Sequence, residues 1–150
     1  MVFLGMASQP TAAMLCSASY WLNSMETLTK HWTSEQHARF RVLEQDGARI
    51  AYWRSDRNGL PCNGGLRDGI VPVATGMIQK ATGEPKQGTS RALCTDQVLH
   101  ATLKIPRWNG SRLWVVALTG EIIGDDEKFG APVREILGEA MQYSGDLGRI

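Results

Sequence analysis

Apolar positions change rhythm several times along this chain, and each change marks an element. Between Glu26 and His37, the residues Leu28, His31, Trp32 and Glu35 recur at helical spacing, with Thr27 or Ser24 as cap. A short helix is expected there. The rhythm then becomes two-residue. Arg39-Phe40-Arg41-Val42-Leu43 alternates, Asp46-Gly47 is a two-residue turn signal, and Arg49-Ile50-Ala51-Tyr52-Trp53 alternates again. That pattern predicts a β-hairpin. The stretch from Asp56 to Gly65 is dense in turn formers and reads as a loop. Its glycines lack the spacing and the strand-to-helix setting of a phosphate-binding loop.

Further along, Ile70 to Ala74 is a short apolar run carrying Pro72, which predicts an edge strand. Thr82 to Thr89 is a polar loop. Arg91 to Cys94 reads as a short strand and Val98 to Leu103 as a second short element. Arg112 to Ile123 is the clearest strand. Leu113, Val115 and Ala117 alternate with Trp114, Val116 and Leu118, so both faces are apolar and the strand is central and doubly covered. Gly124-Asp125-Asp126 closes it with a turn. The segment from Ala131 to Tyr143 carries two signals: helical spacing with Pro132 at the first position, or a final strand over Val133 to Glu139. The whole predicts a compact, strand-rich α+β single domain with a mixed or antiparallel sheet and one or two short helices.

Size is consistent with that reading. A chain of 150 residues is long enough for one domain with a sizeable core, and 43% hydrophobic with 21% charged residues is ordinary globular usage. Residues Met1 to Met25 hold no charge, Glu26 being the first. No basic region precedes Met14-Leu15-Cys16, as a secretory signal would need, and polar residues interrupt the run too often for a membrane span. Residues 1–25 therefore read as a loosely structured leader, with one globular domain over 26–150.

The net charge of +1, with acids and bases interspersed, makes nucleic acid an unlikely partner. Three unevenly spaced cysteines, Cys16, Cys62 and Cys94, form neither a disulfide framework nor a four-ligand zinc knuckle. A cytoplasmic location follows as the simplest expectation, with no membrane association, no cofactor and no metal. The one conceivable metal set is Cys62, Cys94 and His100.

The stretch Leu99-His100-Ala101-Thr102, Trp108-Asn109-Gly110-Ser111-Arg112, Leu113 to Leu118 and Gly120-Glu121 resembles a family of small, functionally uncharacterised domains common in bacteriophages and prophages. Cys94 upstream, Asp125-Asp126-Glu127-Lys128 and Arg134-Glu135-Ile136 downstream fit the same pattern, and the likeness spans Arg39 to Glu139. The resemblance implies a mobile-element context and no particular activity. It favours a strand for the Arg134-Glu135-Ile136 segment.

Several residues are candidates for chemistry. His100 reads either as a half-buried histidine bonded to backbone or as a polar group at the mouth of a cleft. Cys94 reads as a buried structural thiol, with a Cys/His pair formed only if the intervening turn folds it onto His100. The aspartates at 125 and 126 suit a tight turn, and the Asp-x-x-Lys spacing suggests a local ion pair with Lys128. Trp108, Trp114, Trp53 and Tyr52 are candidates for an aromatic wall; core packing accounts for Trp114 on its own, and Trp108, in a loop between Arg107 and Arg112, is the one expected to be exposed. The candidate ligand-binding set is His100, Trp108, Asp126, Lys128 and Glu135.

Two functions are consistent with these residues. The first is a phage-type accessory domain that binds a host or phage protein or a small nucleotide-like ligand. The second is an enzyme resembling ADP-ribosyltransferases, with His100 holding the nicotinamide ribose of a dinucleotide and Glu135 or Glu121 as the acid. That second reading requires His100, Asp126 and Glu135 to share one cleft.

Overall fold

Thr33 sets where the first long element begins. Its hydroxyl accepts from the Gln36 amide at 3.2 Å, and the Gln36 side chain accepts from the Thr33 amide at 2.9 Å. This reciprocal capping box starts helix α1 (Ser34–Gln45). The helix ends at Gly47, whose φ of 92° turns the chain left-handed. There the Gly47 amide donates to Glu44 O and the Ala48 amide to Leu43 O, the two bonds of a Schellman stop. The computed structural model describes residues 25–62, 71–105 and 109–141.

The hairpin expected across Asp46-Gly47 is therefore overturned in its first arm. Phe40 and Leu43 lie three residues apart on the helix face that packs inward, and five alternating residues were outweighed by a cap at each end. The expected helix from Glu26 to His37 is also divided. Residues 25–28 make one helical turn, the chain turns again, and Thr33 starts afresh. Leu28 and Trp32 are nonetheless buried. Met25, assigned above to the leader, is buried as well, so the packed structure starts at least one residue earlier; the rest of the leader lies outside the described residues.

Among the described residues seven strands follow: β1 (Arg49–Ser55), β2 (Ile78–Lys80), β3 (Leu99–Ala101), β4 (Arg112–Thr119), β5 (Ile123–Gly124), β6 (Phe129–Ala131) and β7 (Val133–Glu139). They form two antiparallel sheets, one of order β1-β4-β7-β2 and one of order β3-β6-β5. As expected, β4 is central and buried on both faces. The segment with two signals is a strand, β7, carrying a bulge opposite Val115/Val116.

Three expectations change. The edge strand is β2 rather than residues 70–74; among the described part of that run, Val73 donates to Gly59 O and packs under the preceding turn. Arg91 to Cys94 is a turn, because local side-chain bonds compete with a ladder: the Ala92 amide donates to Gln97 and the Thr95 hydroxyl to Ala92 O. The long strand ends at Thr119, where Gly120 at φ 97° turns the chain, and Ile123 joins the second sheet.

Three layers result. On one face of the four-stranded sheet, Leu28, Trp32, Leu43, Tyr52, Leu113, Val115 and Leu137 form a core beneath α1. On the other, Trp53, Trp114, Val116, Leu118 and Ile136 meet Ala101, Phe129 and Ala131 of the three-stranded sheet. The two sheets are joined at one side by paired backbone bonds of 2.9 Å between Tyr52 and Thr102, which occupy the middle of the outer edge of β1. Among the described residues, no helix is long and apolar enough to cross a membrane.

Candidate functional site

The polar margin of the three-stranded sheet is built by two turns. Asp125 holds the turn between β5 and β6, its Oδ1 accepting from the amides of Glu127 and Lys128 at 3.0 and 3.1 Å. The second turn, before β3, carries Cys94 at φ 61°, the one non-glycine residue with positive φ among those described. His100 on β3 fixes it: its Nε2 accepts from the Cys94 amide at 3.0 Å. The turn does fold Cys94 onto His100, so the two meet through the cysteine's backbone. The thiol is exposed, against the expectation of a buried one, because the left-handed turn directs the side chain off the sheet and onto Lys128. Lys128 Nζ donates to Cys94 Sγ at 3.0 Å in place of the expected ion pair with Asp125.

Burial depresses the His100 imidazole, and the neighbouring Lys128 and Arg134 cations add to it, to about 4 from an ordinary value of 6.5. His100 is thus neutral at pH 7. With Nε2 accepting, its proton belongs on Nδ1. Arg134, on β7, is buried between the layers. It donates to Gln79 and to the His100 carbonyl at 2.8 Å each and lies 4.3 Å over the Trp53 ring. Burial lowers its guanidinium to about 9, and it stays a cation at neutral pH.

The other candidates go elsewhere. Asp126 shares the turn with Lys128, but its carboxylate pairs with Arg49, whose guanidinium lies 4.3 Å over the Phe129 ring. Glu135 faces α1 and is gripped by Arg39 through two bonds of 2.8 Å. That pairing holds the Arg39 guanidinium above its ordinary value. His100 and Glu135 therefore lie on opposite faces of the four-stranded sheet, and the set His100, Asp126 and Glu135 does not share a cleft. Glu121 accepts from the Arg91 amide. Trp108 lies outside the described residues. Trp53 and Trp114 are cross-strand neighbours facing the second sheet, whereas Tyr52 faces α1, so the three make no common wall. Trp114 is core, its Nε1 donating to the Ser55 hydroxyl at 2.9 Å. Cys62 sits beside Gly110 rather than with Cys94, and among the described residues no His, Cys, Asp and Glu cluster suits a metal ion.

No protein-family model, curated protein or solved structure matches this chain.

One surface escaped the sequence reading. A groove of about 420 Å³ runs between α1 and the β7–β2 side of the sheet, lined by Gln36, Arg39, Gly76 and Glu135 among others. Beside it β2 is the sheet's edge. Ile136 donates to Met77 O and Ala81 to Pro132 O, so the groups turned toward β7 are those of residues 77, 79 and 81. The N–H and C=O of Ile78 and Lys80 point outward, and among the described residues no backbone bond reaches them. Ile78 is 56% exposed and Val71 is 64% exposed. A three-residue strand gives little periodicity to read. The signal in the sequence was the short apolar pair Met77-Ile78 set between Gly76 and the polar Gln79-Lys80.

Proposed function

We propose that this domain is a binding module that takes up an extended segment of a partner protein along β2. The observation that carries the proposal is the open β2 edge: outward backbone groups on Ile78 and Lys80 beside the exposed Ile78 side chain. Strand addition to such an edge draws its affinity from main-chain hydrogen bonds and its specificity from alternate side chains. An apolar residue of the partner would cover Ile78, and an acidic one would meet Lys80, which is exposed and has no carboxylate partner among the described residues. The resemblance to phage and prophage domains suggests a host or phage protein as the source of that segment. The separation of His100 from Glu135 speaks for this reading over the transferase one.

A short synthetic peptide carrying Val and Glu two residues apart, with Thr between them so that both side chains fall on one face of the added strand, tests it. Amide chemical shifts of Ile78 and Lys80 are expected to move on titration, and a Val/Lys peptide is expected to bind far more weakly. Ile78→Pro removes an outward donor while leaving the groups turned toward β7, and is expected to abolish binding. A peptide that leaves β2 amides unmoved, or that binds Ile78→Pro equally well, overturns the proposal.

A further inference from the structure

We propose that Cys94 and Lys128 are a redox-responsive pair that oxidation joins through a nitrogen–oxygen–sulfur bridge between Nζ and Sγ. The two atoms are in contact at 3.0 Å although 34 positions separate them in the chain. Each is held from its own side. The Lys128 backbone is fixed by Asp125 Oδ1, and the Cys94 amide is fixed by His100 Nε2. Among the described residues neither group has a nearer competitor. Asp126 is engaged by Arg49, Asp125 accepts two backbone amides, and Cys62 sits beside Gly110. His100 gives its Nε2 to backbone and is not placed to take the thiol proton. The thiol is exposed, so a small oxidant reaches it without any opening of the fold.

Hydrogen peroxide balances the chemistry. In the first step Sγ attacks one peroxide oxygen: an S–O bond forms, the O–O bond breaks, and water leaves, giving the sulfenic acid. The Lys128 ammonium then yields a proton to solvent. In the second step another peroxide takes two electrons and two protons, one from the amine and one from the sulfenic acid, as the N–O bond forms. That peroxide becomes two waters. The chain gains one oxygen and loses two hydrogens, and a thiol reductant returns both side chains. The bridge would tie the turn before β3 to the β5–β6 turn across the rim of the smaller sheet.

The experiment is peroxide treatment of the full-length protein, followed by intact mass and a peptide map. The expected product carries that mass change on a linked pair of peptides containing Cys94 and Lys128, and dithiothreitol removes it. Lys128→Arg keeps the charge and a donor to the thiol but has no primary amine to bridge, so it is expected to stop at the sulfenic or sulfinic acid. Lys128→Met is expected to do the same. A wild-type product that is only a sulfur oxyacid or a disulfide at Cys94 overturns the proposal. So does the bridged mass persisting in Lys128→Arg.

Discussion

His100 shows how much one half-buried side chain can govern. Its folded-state pKa of about 4 lies below the ordinary 6.5, so folding favours the neutral ring. The sign follows from linkage. Above pH 6.5 both states are neutral and the contribution is complete; as pH falls from 6.5 toward 4 the unfolded chain takes the proton first, and stability is lost. Protonation would also set a third cation beside Lys128 and Arg134. Thermal midpoints measured from pH 7 to pH 4 are expected to fall faster for the wild type than for His100→Gln, whose side chain does not titrate. The comparison removes the loss that both proteins share from the rest of the chain. Parallel curves would refute the assignment.

At the scale of the element, α1 depends on its ends more than on its apolar stripe, since Leu43 is its one buried residue. Thr33→Ala removes the side-chain half of the capping box and is expected to cost about 1 kcal/mol in urea unfolding. Gly138, on the strand beneath, has the opposite sensitivity. A Cβ there would come within 2.9 Å of the Trp32 ring and closer still to Gln36, so Gly138→Ala is expected to destabilise by pushing α1 off the sheet, by roughly 1–3 kcal/mol. Both can be read from denaturant midpoints. These ends explain what the sequence showed and what it hid. Thr33-Ser34-Glu35-Gln36 and Asp46-Gly47 are legible as a capping box and a helix stop, yet Asp46-Gly47 is equally a hairpin turn, and Arg39 to Leu43 alternates as well. Only the packing of Leu43, with the partly buried Phe40, against distant strands separates the two readings. By contrast β4 was plain because it is apolar on both faces whatever surrounds it. The contact of Lys128 with Cys94 and the division of His100 from Glu135 depend on which face each strand presents, and that is a property of sheet order rather than of local pattern.

At the scale of the molecule, the smaller sheet is attached to the larger by a small set of contacts, and Arg134 is central among them. It rises from β7, stacks on Trp53 of β1 and donates to the His100 carbonyl of β3, so one side chain bonds across both layers. A buried guanidinium costs desolvation, and its removal leaves both the Gln79 oxygen and the His100 carbonyl short of a donor. Arg134→Met keeps much of the apolar stem and deletes the bonds. Its expected cost is about 2–4 kcal/mol, of the size seen when a buried charged donor is lost. The loss should not be uniform. The four-stranded sheet keeps its core beneath α1, built from Leu28, Trp32, Leu113, Val115 and Leu137, while the three-stranded sheet keeps only Ala101, Phe129 and Ala131 against the other face. Native-state hydrogen exchange is therefore expected to show amides of β3, β5 and β6 opening at lower free energy in Arg134→Met, with those of β4 changed much less. Equal loss of protection in both sheets would show that the layers unfold as one unit and that Arg134 stabilises the whole rather than fastening one sheet to the other.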